Sequence, residues 1–188
     1  SLRAWCSRSD CKLKNVDLWR PVGTTLPGKF IIGNLDRPNT SLRIMELNEL
    51  NIDNAGLSVM LSNLKSIESL DLQSNSITDL QPFESLLLGE SPSLKNLILA
   101  ANPIEKASAI RFAKSLPGMK VLRNLELRNS SFLKDKTALE ALFESANHNT
   151  SLERLSIFTT FKNQQMLRPK LMYGPCLNRA GRRYLGTN

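Results

Sequence analysis

The sequence predicts an α/β horseshoe solenoid, with short parallel strands on a concave face and helices on a convex one. Two observations predict it. A leucine-spaced phrase returns five times, starting at Leu42, Ile67, Leu94, Leu122 and Leu152, at steps of 25, 27, 28 and 30 residues. A recurrence of that length is the signature of stacked repeats. Between the phrases run apolar stripes at helical spacing, so each repeat carries one strand and one helix-like segment.

The phrases read LRIMELNELNI, IESLDLQSNSI, LKNLILAANPI, LRNLELRNSSF and LERLSIFTTFK. Each has two apolar residues at alternating positions, the period of a strand with one buried face. Leu70 and Leu72 point inward in this reading, and Ser69, Asp71 and Gln73 outward. Strands are predicted over residues 44–48, 69–73, 96–100, 124–128 and 154–158. Right-handed crossovers should join them.

At the ninth position of the phrase the chain must turn. An asparagine there can satisfy backbone groups that a tight turn leaves unpaired. Asn75 and Asn102 hold this position, while Leu50, Ser130 and Thr160 replace it elsewhere. Serine and threonine can do part of this work. Leucine cannot, so the first repeat should turn differently.

The helical halves follow. Leu57, Met60, Leu61 and Leu64 make one stripe, and Leu139, Leu142, Phe143 and Ala146 another. Asp135 is placed to cap the latter. Ile110, Ala113 and Leu116 mark a helix that Pro117 and Gly118 stop. After Asp79 a helix carries Leu80, Phe83, Leu86 and Leu87, with Pro82 tolerated in its first turn and Gly89 placed to end it. None of these stripes could be buried alone; stacked neighbours bury them for one another. Residues 13–41 read as a degenerate repeat: Leu13, Val16 and Leu18 keep strand spacing, and Ile32 and Leu35 suggest a short helix. Domain organisation is therefore an N-terminal cap and degenerate repeat at 1–37, repeats at 38–165 and a basic C-terminal cap at 166–188.

These phrases resemble the leucine-rich repeat, and the helical intervals resemble its ribonuclease-inhibitor-like subtype. The NTSL entries at 39–42 and 149–152 are similar to that subtype too. The final residues LNRAGRRYL, at 177–185, are similar to endings of leucine-rich repeat proteins of microalgae. The resemblance implies a binding scaffold rather than a catalyst.

Charge is unevenly placed. The formal net charge is +8. Residues 1–37 hold seven basic and three acidic groups, residues 38–160 twelve and fourteen, and residues 161–188 six and none. A near-neutral repeat body thus lies between basic flanks. Tyr173 and Tyr184 interleave with Arg168, Lys170, Arg179, Arg182 and Arg183, without any nucleic-acid recognition motif. Cys6, Cys11 and Cys176 are odd in number and are expected to be reduced and dispensable, as in a cytoplasmic protein. With His148 the only histidine, the ligands for a structural zinc are too few. Sequons at Asn39, Asn129 and Asn149 arise from the repeat pattern itself. No apolar run reaches membrane-spanning length. The chain opens on Ser1 rather than Met, as a piece of a longer array would.

No catalytic or cofactor site is visible. There is no phosphate loop, nucleophile elbow or paired metal motif, and His148 reads as a surface residue of the loop before a strand. The expected function is binding a protein partner. Strand alternation leaves three outward columns: Ile44, Ser69, Asn96, Asn124 and Arg154; Glu46, Asp71, Ile98, Glu126 and Ser156; Asn48, Gln73, Ala100, Arg128 and Phe158. Arginine and aromatic residues most often anchor interfaces, so Arg128, Arg154 and Phe158 are the expected anchors. Glu46, Asp71 and Glu126, around apolar Ile98, would steer the partner. Two alternatives are regulation of a small GTPase, as some proteins of this repeat subtype do, and anionic-surface or nucleic-acid binding through the basic C-terminus.

Overall fold

A computed structural model describes residues 14–19, 40–89 and 92–157, together with residues 175 and 178. Strand and helix alternate through it. The order is β1 (Asn15–Trp19), β2 (Ile44–Asn48), α1 (Asn54–Asn63), β3 (Ser69–Asp71), α2 (Gln81–Leu87), β4 (Asn96–Ile98), α3 (Lys106–Ser115), β5 (Asn124–Glu126), α4 (Lys136–His148) and β6 (Arg154–Ser156). Short 3-10 turns occupy Leu116–Gly118 and Ser131–Lys134. Among the described residues the six strands form one parallel sheet, in the order β1-β2-β3-β4-β5-β6. The fold is mixed α/β, and every strand lies beside its predecessor in sequence.

The strand starts at 44, 69, 96, 124 and 154 agree with the leucine phrase. Their ends do not, since the last four strands stop after three residues rather than five. Neighbour-to-neighbour bonding nevertheless continues. The Leu72, Ser74, Leu99, Ala101 and Leu127 N–H groups donate to the next repeat's carbonyls at 2.7–2.9 Å. Regular strand geometry ends because the chain turns through the left-handed region at Ser74, Ala101 and Asn129, with φ of 54–56°. The degenerate first unit does contribute a strand: β1 pairs with β2 in full register, from Asn15 opposite Ile44 to Trp19 opposite Asn48. The short helix suggested around Ile32 and Leu35 lies outside the described residues.

Leucines of the phrase form the core. Leu42, Leu70, Leu72, Leu94, Leu97, Leu99, Leu122 and Leu152 have no exposed surface, and Leu57, Met60, Phe83, Phe112 and Leu142 meet them from the helical side. Fully burying such a side chain contributes roughly 1.5–3 kcal/mol.

The asparagine turns behave as a ladder between repeats. Asn75 Oδ1 accepts the Leu50 and Ile52 N–H groups at 3.1 and 3.0 Å, and its amide donates to the Leu47 and Leu72 carbonyls. Asn102 does the same one repeat later, accepting from Ile77 and donating to Leu72 and Leu99. Leu50 does make its repeat turn differently. Glu49 and Asn51 both adopt positive φ, 60° and 54°, where the later turns need one such residue. Ser130 corrects the expectation for serine, since its hydroxyl is buried without a hydrogen-bond partner among the described residues. Its neighbour Ser131 instead donates to the Ile104 carbonyl at 2.5 Å.

A second ladder was not anticipated. Asn149, buried at the end of α4, donates to the Leu116 and Met119 carbonyls and accepts from the Ser151 and Leu152 N–H groups. Asn178 in turn donates to the Asn149 and Leu152 carbonyls at 2.8 and 2.7 Å. The sequon at Asn149 is thus a structural rung, closed to modification in the folded chain. Serines before the first leucine add cross-ties: Ser93 donates to Ile67 O and Ser151 to Leu122 O.

Helix boundaries mostly follow the sequence signals. Asp135 caps α4 by accepting from the Ala138 N–H at 3.0 Å, and Asp53 caps α1 through Gly56. Gly89 does not supply a left-handed cap; α2 ends at Leu87, with the Leu88 N–H bonded to Glu84 O. His148 is the last residue of α4 rather than a loop residue, and its Nδ1 lies 2.8 Å from Glu144 O.

Candidate functional site

Strand register builds the candidate site. It sets Asn15, Ile44, Ser69, Asn96, Asn124 and Arg154 side by side in one row. Asp17, Glu46, Asp71, Ile98, Glu126 and Ser156 make a second. Side chains of both rows alternate with the buried leucines, so they share the outward face of the sheet. Asp17, Ile44 and Arg154 are exposed, and the other side chains of the second row are half-buried. The register thus brings Glu46, Asp71, Ile98 and Glu126 into a single row, and adds Asp17 from β1, which the sequence did not single out.

The third row is less open. Ala100 is only 3 % exposed, so this position offers no side chain to a partner. Arg128 is half-exposed, but its guanidinium is engaged: Nε lies 2.6 Å from Glu126 Oε1, and a second guanidinium nitrogen also meets that oxygen. Residues two apart on a strand share a face, and this spacing was visible in the sequence as a potential pair. Arg154 makes no side-chain ion pair with another described residue. Phe158, the expected aromatic anchor, lies outside the described residues, as do the three cysteines and the basic C-terminal cluster.

Electrostatics differ along the second row. Burial raises the Asp71 carboxyl above its ordinary value. The Gln73 N–H and Asn48 side chain oppose that, and the negative charges of Glu126 and Asp17 add to it. Gln73 N–H donates to Asp71 Oδ1 at 3.0 Å. Neighbouring strands bring like charges together here, an arrangement that destabilises a sheet.

A fourth row, just before the strands, escaped the sequence reading. Arg43, Glu68, Lys95, Arg123 and Glu153 hold the second position of the five phrases, and consecutive backbone bonds place them side by side. Glu68 pairs with Arg43 at 3.6 Å and with Lys95 at 2.6 Å, and Arg123 pairs with Glu153 at 3.3 Å. The Lys95 hydrogen bond and charge are the main causes of the lowered Glu68 pKa. The signal was present: one repeat position is charged in all five phrases.

On the helical side, Arg111 of α3 bridges Asp79 and Glu84. Burial pushes the Asp79 carboxyl up. The Ser108 hydroxyl, the Gln81 N–H and Arg111 outweigh it, so its pKa is lowered. A groove of about 770 Å³ runs between α1 and α2, lined by Ser58, Leu61, Ser62, Pro82, Ser85 and Leu86 among others. Among the described residues no three His, Cys, Asp or Glu side chains gather to hold a metal ion. No described helix is long and apolar enough to cross a membrane.

No known protein family matches the chain, and no curated protein does. Solved structures do. A structure titled leiomodin-1 actin-binding site 2 is similar at a TM-score of 0.52 and 15 % identity, covering 98 % of this chain and 90 % of that one. The tropomodulin C-terminal domain of Caenorhabditis elegans is similar at a TM-score of 0.50 and 14 % identity, covering 99 % and 95 %. These likenesses define the class of the fold, that of the leucine-rich-repeat-like tropomodulin and leiomodin domains.

Proposed function

We propose that the chain is a non-catalytic protein-binding scaffold. In this reading it is a leucine-rich repeat horseshoe of the ribonuclease-inhibitor-like kind, bounded by caps at 1–37 and 166–188, and it acts in the cytoplasm. The outward face of its sheet is the docking surface. Glu46, Asp71, Ile98, Glu126, Arg128, Arg154 and Phe158 are the candidate contacts, with no cofactor or metal. The observation that carries the reading is the register, which stacks the outward side chains of consecutive repeats into rows on one face. Such repeat arrays function through extended surfaces of this kind.

Arg128 is a shared element of the site. A partner must either meet the Arg128–Glu126 pair as a unit or separate it. Arg154 at the β6 end is the more available cation. The leiomodin-1 structure is named for an actin-binding site, so monomeric actin is the first purified partner to try.

The test is site-specific photo-crosslinking with the full chain, in source lysate and with monomeric actin. The crosslinker replaces Ser69 on the sheet face in one variant and Lys114 on α3 in another. The reading predicts a defined protein adduct from position 69 and none from 114. Adducts from 114 alone would overturn it.

A further inference from the structure

Resting on the reading of the sheet face as a docking surface, we propose that its partner is a basic helix. Lysine or arginine side chains along one stripe of that helix seat on Asp17, Glu46 and Asp71, and an apolar neighbour covers Ile44. The helix crosses β1, β2 and β3 at right angles to the strands.

Charge complementarity points to the occupant. Asp17, Glu46 and Asp71 stand on three adjacent strands in direct register. None of the three makes an ion pair with another described residue, although the same sheet pairs Glu126 with Arg128 and Glu68 with Lys95. The fold therefore has the means to neutralise carboxylates near this patch, and does so at Glu126 farther along the same row and at Glu68 just before β3. Departures from local stabilising rules that find no compensation among the described residues point to a functional surface. Ile44 lies in the neighbouring row and is 37 % exposed, one of three large hydrophobic residues left exposed among the described residues.

Spacing selects a helix over an extended segment. Adjacent strands lie about 4.8 Å apart, so the carboxylates repeat at that interval. Side chains three and four apart on a helix surface repeat at about 5–6 Å. Same-face residues of an extended strand repeat at nearly 7 Å and lose step within three carboxylates. A stripe at i, i+4 and i+7 meets all three strands.

The whole chain has a formal net charge of +8. Long-range electrostatics therefore repel a cationic peptide, and any attraction must be local. The probes are two alanine-based helical peptides of identical composition, each with three lysines. One sets them at i, i+4 and i+7; the other disperses them around the helix. Binding to the full chain is measured by fluorescence anisotropy at low salt. The striped peptide should bind several-fold more tightly. Asp17→Asn, Glu46→Gln and Asp71→Asn combined should weaken it by about tenfold, at the scale of exposed charge pairs. Glu144→Gln on α4 removes one negative charge away from the face and should leave binding unaltered. Circular dichroism checks that the triple variant is folded.

Absence of binding by the striped peptide, equal binding of both peptides, or retention of affinity in the folded triple variant would each overturn the proposal. If position 69 still crosslinks a protein in any of those cases, the docking face stands and the basic helix falls. If position 69 crosslinks nothing, the broader reading falls with it.

Discussion

Two rows of charge, one just before the strands and one on them, run three residues apart and follow opposite rules. Arg43, Glu68, Lys95, Arg123 and Glu153 largely alternate in sign, and three ion pairs tie neighbouring repeats together. Asp17, Glu46 and Asp71 share one sign and have no ion pair among the described residues. Both rows are held side by side by the same parallel register of successive repeats. The difference teaches that side-chain chemistry on this sheet is not dictated by the fold. The paired row staples the repeats, and the like-charged row leaves attraction available to another molecule.

Beneath both rows the leucine interior leaves no such choice, and the largest expected effect lies there. Leu97 has no exposed surface and sits between Leu70 and Leu125. Leu97→Asp should unfold the chain, because an unpaired buried charge costs several kcal/mol against a total stability of about 5–15. A far-ultraviolet melt checks this; an unchanged transition would remove Leu97 from the core that both rows rest on.

Next come the turns. Asn102→Ala strands the Ile77 N–H and the Leu99 carbonyl, and leaves the Leu72 carbonyl with the Asn75 amide as its donor. Each buried group left unpaired costs about 1–3 kcal/mol. Ser130→Ala at the equivalent turn removes a hydroxyl that has no hydrogen-bond partner among the described residues, so it should change stability by less than about 1 kcal/mol. Urea unfolding of the two variants separates them. Equal losses would show that the ladder is not what holds the turns.

Periodicity made the architecture legible because burial repeats wherever the leucines do. Strand starts, the Asp135 cap and the altered turn at Leu50 all followed from it. Strand ends did not, since positive φ at Ala101 is adopted by a residue type without a turn signature. Pairing across repeats was visible only in part. Glu126 and Arg128 are two apart and could have been matched, whereas the Asn149 and Asn178 rungs join residues whose alignment requires the helices between them. The candidate face was legible as rows of outward residues. Its division into neutralised and open carboxylates was not, because that depends on side-chain reach.

A smaller effect concerns Asp71. Burial raises its folded pKa, so the folded state favours the protonated form. The destabilisation is fully present above the folded pKa and is relieved as pH falls through it toward the unfolded value. Asp71→Asn keeps an acceptor for the Gln73 N–H and removes the charge. It should stabilise the chain at neutral pH by about 0.2–1 kcal/mol, the scale of a like-charged cross-strand contact, and the gain should vanish in acid. Asp79 has the opposite sign. Its lowered pKa contributes stability above the unfolded carboxylate range, and that stability is lost as pH falls through the folded value. Asp79→Asn should therefore melt lower at neutral pH, and the two variants should converge in acid melts.

The most direct test measures stability and binding on one variant, Glu46→Gln combined with Asp71→Asn. If the like-charged row is kept for a partner, the variant should melt at a higher temperature than the parent chain and bind the striped lysine peptide several-fold more weakly. A variant that melts higher and binds the peptide as the parent does, or one that melts lower, would contradict the account.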